Sequence, residues 1–478
     1  MAGEGAKSAS PRLIVVVLAS CGLVASFMQT LVVPLIPSFP RLLNASATDA
    51  SWVVTVTLLA AAVVTPVSGR LGDLYGKRRI LLASLGLLII GSVLSALTSD
   101  LGLMIAGRGL QGCAMGVIPL GISIMRDELP PDRIGAAIAL MSATLGVGGA
   151  IGLPVAAVVA ENADWHVLFW GAGALAAICG LLILKLVPES PVRTPAPFDY
   201  LGTVGLSAGL LCLLLPIVKG TEWGWASPLT LGLGGASVLI FLGWGFYQLR
   251  RRDPLVDLRV SARRPVLFTN LASVLVGFAM YASALSFPQL LQAPSSTGYG
   301  LGQSMVQTGL LLAPNGLVMM VLSPVSARLA KRFGARLTLM LGAVVIALGY
   351  LFATALMDNV FEIVVATVII GAGVGIAYSA MPALIMGAVP VTETASANGV
   401  NSLMRAFGTS ASSAVMATML AHMTITVGAL TVPSLTGFRA TFLVGAAAAV
   451  AGLVLTAVIP RKDRNRGNPV PALASSAV

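Results

Sequence analysis

Arg108 lies inside an otherwise apolar run, in Ala106-Gly-Arg-Gly-Leu-Gln-Gly112. A cation at hydrocarbon depth is expensive, and where one persists it faces an internal cavity or pathway rather than lipid. Gln111, three residues on, shares its helix face. A second polar series, Asn398, Asn401 and Arg405, recurs at helical spacing with Glu393 just ahead of it. Gly69-Arg-Leu-Gly-Asp-Leu-Tyr-Gly-Lys-Arg-Arg79 sets Gly69, Gly72 and Gly76 around a single acid, Asp73, followed by Lys77, Arg78 and Arg79. The glycines permit tight turning and close helix approach. Asp73 can cap a helix or pair with a cation of another segment, and Arg405 is the candidate partner. Such residues make and break contacts; they suit a gate rather than bond-forming chemistry.

A proton-coupled carrier needs a carboxylate whose protonation changes with conformation, commonly one raised in pKa by a dry site. No Asp or Glu falls in the middle of an apolar run. Glu161 and Asp164 bracket the outer end of the fifth run beside His166, and with Asp49 they are the coupling candidates; solvated turn caps are the competing reading. Gln289 and Asn315 put neutral polar groups near the ninth and tenth runs, for substrate contact or for bonds between helices. No Gly-x-x-x-x-Gly-Lys-Ser/Thr phosphate loop occurs. Both histidines are isolated, and the four cysteines, Cys21, Cys113, Cys179 and Cys212, sit in apolar runs without metal-ligand spacing. Neither an enzyme nor a bound cofactor or metal is expected.

The elements that position these residues are set by composition. The 478-residue chain is 57% apolar with 10% charged residues, whereas soluble domains carry about 25%. A net charge of +11 falls in short clusters between apolar runs, with no basic stripe or aromatic platform for nucleic acid. A helix needs about 20 apolar residues to cross a bilayer, and the sequence holds fourteen such runs. With both termini in the cytoplasm, only Arg41, Lys219 and Arg439 of the 29 basic residues fall outside, Arg108 and Arg405 lying within helices. Basic residues on the inner side are what membrane insertion selects.

The chain also repeats itself. Ser323-Pro-Val-Ser-Ala-Arg-Leu-Ala-Lys-Arg-Phe-Gly-Ala-Arg336 follows the tenth run as Gly69–Arg79 follows the second, a symmetry expected of a carrier with two similar halves. The expected organisation is an inner tail (1–13), a six-helix bundle (14–190), a two-helix hairpin (198–248), a basic inner connector (249–265), a second six-helix bundle (266–460) and an inner tail (461–478). Glycines in Gly146-Val-Gly-Gly-Ala-Ile-Gly152, Gly148 among them, let helices approach closely. Pro154, with Pro66, Pro119, Pro314 and Pro382, can kink them.

Together these motifs resemble the major facilitator superfamily, and within it the fourteen-helix drug:proton antiporter branch, across residues 12–460. Gly69–Arg79 is similar to that superfamily's loop signature, and Arg108-Gly-Leu-Gln-Gly112 to its helix-four signature with the functional arginine. Asp199-Tyr-Leu-Gly202 and Gly220-Thr-Glu-Trp-Gly-Trp225 resemble the start and end of the branch's first additional helix. Two departures stand out. Thr30 and Pro37 align with the first-helix pattern, but Met28 stands where relatives carry an acid and Val33 where they carry Asn, so Met28 becomes a candidate substrate contact. The helix-five signature reads Gly152-Leu-Pro-Val-Ala-Ala157, its proline displaced by one and its last glycines replaced by alanine.

The resemblance implies an all-α integral membrane protein of the cell membrane, of 6+2+6 helices, exporting amphipathic or hydrophobic, including cationic, drug-like compounds in exchange for protons. Membrane lipids are its other partners, and a monomer is expected. An uptake or exchange carrier for an organic or lipid-like solute and a non-transporting scaffold are the alternatives. The topology is testable in a background lacking the native cysteines. Single cysteines at Ser46, Thr221 and Ser434 are expected to react with an impermeant thiol reagent outside intact cells, and one at Ser261 to stay unlabelled; labelling at 261 overturns the topology.

Overall fold

The computed structural model describes residues 10–190, 192, 196–427 and 430–460. A backbone in lipid has to satisfy its own N–H and C=O groups, so the apolar runs become helices. In chain order these are α1 (Pro11–Thr30), α2 (Trp52–Tyr75), α3 (Lys77–Ala96), α4 (Leu101–Glu128, with a 3-10 turn at Ala114–Gly116), α5 (Pro131–Asn162), α6 (His166–Leu186), α7 (Tyr200–Trp223), α8 (Pro228–Arg250), α9 (Arg264–Gln292), α10 (Met305–Phe333), α11 (Ala335–Ala355), α12 (Val360–Met386), α13 (Thr394–His422) and α14 (Leu435–Val458). Among the described residues, 13 helices are long and apolar enough to cross a membrane. The long helix outside that set is α13, whose 29 residues suffice in length but include Asn398, Asn401, Arg405, Ser410 and Ser412. All five are buried, so its polar face meets protein and not lipid. Between α13 and α14, β1 (Thr424–Val427) and β2 (Leu430–Pro433) pair as a small antiparallel hairpin, Thr424 opposite Pro433.

Two bundles each enclose a core. Leu18, Leu85, Ile124, Met141 and Ala176 belong to that of α1–α6, and Val276, Tyr350, Ile370 and Phe438 to that of α9–α14. In the second, the rings of Phe287 and Phe442 stack with centroids 4.7 Å apart. The bundles meet along two principal seams, α2 against α13 and α5 against α10. Each bundle's second helix therefore packs on the other's fifth, as a two-fold relation requires. Small residues bring the seams close. A Cβ on Gly399 would lie 2.9 Å from the Thr65 carbonyl oxygen, and one on Gly146 would lie 2.5 Å from Met319 Sδ. Gly148 and Gly152 serve the other side of α5, where Ser26 and Thr30 of α1 fill the space a side chain would need, while Pro154 faces Gly309 of α10.

α7 and α8 pack on each other, and α7 also lies on α2 and α13. Leu206, Leu210 and Leu214 of α7 join Leu59, Ala62 and Leu403 in one apolar cluster. Lys219 of α7 pairs with Glu222 at 2.9 Å, and its Nζ lies 5.0 Å from the ring centre of Trp52 on α2.

The repeated turn is reproduced in three dimensions. Gly76 (φ +113°) joins α2 to α3 and Gly334 (φ +90°) joins α10 to α11. Arg78 then donates to the Leu184 carbonyl near the end of α6, and Arg336 to the Ala457 carbonyl near the end of α14, a favourable site for a cation against the helix dipole. Alanine at either glycine enters a backbone region costing about 1–3 kcal/mol. At Gly76 the new Cβ would also lie 2.8 Å from Glu189 Oε1, whereas nothing lies within 4 Å at Gly334. Gly76→Ala is accordingly expected to lower the melting temperature in detergent further than Gly334→Ala, as read by scanning fluorimetry.

Candidate functional site

Glu393 precedes α13 but its side chain does not cap the helix. Asp73, on the last turn of α2 and 1% exposed, does so from the other bundle. Its Oδ2 accepts the Ser396 N–H at 2.8 Å and its Oδ1 the Ala395 N–H at 3.3 Å. These are among the N–H groups that a helix start leaves without intrahelical partners, and a carboxylate there also gains from the dipole. Gly69 makes the approach possible, since a Cβ on it would lie 2.5 Å from the Ala395 carbonyl oxygen; a Cβ on Gly72 would lie 2.4 Å from Leu120.

Behind Asp73 stands Lys77, 3.9 Å away, and Lys77 Nζ is 2.5 Å from Asp127 Oδ2. Ser190 Oγ donates to the same oxygen at 2.5 Å, while Asp127 Oδ1 has no hydrogen-bond partner among the described residues. Arg126 adds a second contact across the seam, to Thr394 Oγ1. The pairing of Asp73 with Arg405 expected from sequence is not formed. Asp73 meets the first turn of α13, and Arg405 lies nine residues on, about 13.5 Å along the helix. Asp127 was missed because the fourth apolar run ends before it; α4 continues to Glu128 and carries Asp127 into protein. Its adjacency to Arg126 at the end of a span was the available signal.

Arg108 in the first bundle and Arg405 in the second each bury a guanidinium among helices. Arg108, 1% exposed, donates Nη1 to Gln111 Oε1 at 2.7 Å and to the Met28 carbonyl at 3.4 Å, and Nε to the Val53 carbonyl at 3.3 Å. Gln111 Nε2 in turn donates to Ser92 Oγ at 3.0 Å, so α1, α2, α3 and α4 converge on this group. Met28 contributes its backbone carbonyl to this site.

Arg405 donates Nη1 to Asn401 Oδ1 at 2.6 Å and Nη2 to Ser402 Oγ at 2.8 Å. Its Cζ lies 5.2 Å from the Tyr378 ring centre. Asn401 Nδ2 reaches Asn270 Oδ1 at 2.9 Å and Ser273 Oγ at 2.7 Å. Two expected substrate contacts lie elsewhere: Gln289 is exposed on the last turns of α9, and Asn315 packs at the α10–α12 contact, where a Cβ on Gly371 would lie 2.2 Å from its Oδ1.

The candidate coupling acids are not drawn together into a dry site. Asp164 is exposed, its Oδ1 2.6 Å from His166 Nδ1. The His166 backbone N–H, then the ring, hold its carboxyl below the usual range, opposite to the raised pKa that coupling needs. Asp49 is exposed and exchanges bonds with Ser46 at the start of a short helix, 2.7 and 3.0 Å. Both lie at helix starts. The Glu161 side chain lies outside the described set. At the latch, Glu393 is half-buried, and burial followed by the nearby Asp257 charge pushes its carboxyl up.

Asp73→Ala removes the cap of α13, a loss of about 0.5–2 kcal/mol. Spin labels on α2 and α13 at this end are expected to report a wider mean separation in Asp73→Ala, with Asp73→Asn intermediate. An unchanged distance distribution rules out the latch. Combining Asp73→Ala with Arg405→Gln is expected to be additive within about 0.5 kcal/mol.

Residues 18–413 match the profile of the Major Facilitator Superfamily. Among curated proteins, the chain is 29% identical over 62% of its length to the tetracenomycin C resistance and export protein of Streptomyces glaucescens, spanning 55% of that protein. It is 23% identical over 84% of its length to multidrug resistance protein 3 of Bacillus subtilis, spanning 78% of it. The fold is similar to the crystal structure of the human organic anion transporter MFSD10 (TETRAN), with TM-score 0.67, 15% identity, and 94% and 99% of the two chains covered. With the profile spanning most of the chain and two helical bundles beneath it, this multi-pass membrane protein belongs to the Major Facilitator Superfamily of transporters.

Proposed function

We propose that the chain is a secondary active transporter of the cell membrane that exports amphipathic or hydrophobic organic compounds by alternating access, in exchange for protons. The observation that carries this is the pair of seams. Two bundles related as second helix on fifth can rock about α2–α13 and α5–α10, and Asp73 closes one end by capping α13 across the first. The names of the Streptomyces export and Bacillus multidrug resistance proteins support the direction and the substrate class. We assign the chain to the fourteen-helix drug:proton antiporter branch, with α1–α6, the α7–α8 hairpin and α9–α14 as its 6+2+6 units and both termini cytoplasmic. The departure of α13 from ordinary span hydropathy accords with a helix enclosed by α2, α9 and α7. Among the described acids, Asp73 and Asp127 are those buried within spans, so proton coupling is better sought at this latch than at Asp49 or Asp164.

Arg108 is the residue on which transport is expected to depend most in the first bundle, because its removal leaves the Met28 and Val53 carbonyls and Gln111 without their shared donor. In inverted vesicles, a proton gradient is expected to drive accumulation of an amphipathic dye, with collapse of the gradient abolishing it. Arg108→Ala is expected to lower the rate about tenfold or more per inserted molecule, given 1.5–3 kcal/mol for bonds to a charged group. Gradient-independent dye movement refutes antiport, and normal rates in Arg108→Ala reduce Arg108 to a packing role.

A further inference from the structure

We infer that the substrates are amphipathic organic anions, aromatic or alicyclic bodies bearing a carboxylate or phenolate, and that Arg405 is the residue that receives the anionic group. This rests on the transporter reading above and narrows the expectation of hydrophobic compounds, cations included, to anions. Arg108 and Arg405 are 1% and 9% exposed, one in each bundle. Every hydrogen bond described for them goes to a carbonyl, amide or hydroxyl oxygen. No carboxylate lies within 4.0 Å of either among the described residues. The acids buried in the spans, Asp73 and Asp127, are engaged at the latch by Lys77 and the start of α13.

Taking a guanidinium out of water costs several kcal/mol, and neutral partners return only part of it. Among the described residues, the buried centre thus carries two guanidiniums with no carboxylate paired to either. A cationic passenger would add repulsion at low dielectric, whereas an anionic one supplies the missing countercharge.

The two guanidiniums are not equivalent. Two of the three bonds described for Arg108 end on backbone carbonyls of other helices, which hold it to the scaffold. Arg405 is bound instead by two side chains of its own helix, Asn401 and Ser402, and by no backbone carbonyl among the described residues. Its guanidinium is a planar donor fork that matches a carboxylate in two-point fashion, and the Tyr378 ring lies beside it. The Tyr378 carbonyl accepts from Ser142 Oγ of α5 at 3.3 Å. The Arg405 cluster therefore borders the interface between the bundles, where a passenger moving between them has to lie. Asn401 Nδ2, bonded to Asn270 and Ser273, ties the cluster to α9.

Three dyes built on one xanthene core separate the possibilities: fluorescein, an anion; its methyl ether methyl ester, neutral; and tetramethylrhodamine methyl ester, a cation. Binding to the purified full-length protein is measured by fluorescence anisotropy, and gradient-driven movement in proteoliposomes separately. Fluorescein is expected to bind about tenfold more tightly than either companion, and Arg405→Gln to weaken fluorescein by about tenfold or more while changing the neutral ether by less than about twofold. Arg405→Lys, which keeps charge without the fork, is expected to fall between, and thermal unfolding checks that each variant is folded. Preference for the cation, equal losses for all three dyes in Arg405→Gln, or no fluorescein binding overturns the inference. Cation movement without fluorescein movement leaves the transporter reading intact. Arg405-dependent fluorescein binding with no driven movement of any dye overturns that reading and leaves the anion site.

Discussion

A helix that begins inside a protein with no cap of its own needs donors satisfied from somewhere, and in α13 they are satisfied from the opposite bundle. The Asp73 carboxylate accepts the N–H groups of Ala395 and Ser396, so the cap exists only while α2 and α13 are in register at that end. Separation exposes those N–H groups and takes from the buried acid its hydrogen-bond donors, which is tolerable only if water enters with it. Closure and dehydration are thereby one event. Much of the nearby sequence follows: Gly69 admits the Ala395 backbone, Lys77 and Asp127 hold the carboxylate's surroundings, and Arg126 reaches Thr394.

The two-fold relation of the bundles does not extend to this device. Three residues before Gly76 stands Asp73; three before Gly334 stands Lys331, which is exposed. A cation is repelled by the start of a helix, so α10 cannot grip α5 as α2 grips α13. The turns, their positive-φ glycines and the Arg78 and Arg336 anchors are symmetric, while the latch belongs to one seam. Symmetry supplies the rocking geometry, and its breach supplies a preferred closed end.

Much of this was legible in the residues. Hydrocarbon-length runs marked the helices because the bilayer's thickness leaves little choice, and the repeated basic turns marked the two bundles. α13 was already among the fourteen runs, and the polar series Asn398, Asn401 and Arg405 marked the face that it buries. The partner of Asp73 was hidden because its donors are backbone N–H groups, which have no residue signature; a cation was the only partner that side-chain pairing could nominate. Asp127 was hidden because an apolar run ends where lipid ends, while its helix continues into protein. Asp164 and Asp49 looked promising by nearness to a moving helix, but nearness along the chain does not determine exposure.

The α7–α8 pair has a consequence for the surrounding bilayer. α7 lies across the lipid side of the α2–α13 seam, with Leu206, Leu210 and Leu214 against Leu59, Ala62 and Leu403 and Lys219 beside Trp52. This covers that seam, whereas among the described residues no helix lies over α5–α10 in the same way. The protein is therefore roofed on one flank and bare on the other. A solute dissolved in the leaflet meets a wall from one direction and a fissure from the other, so any lateral route from lipid into the interior is one-sided.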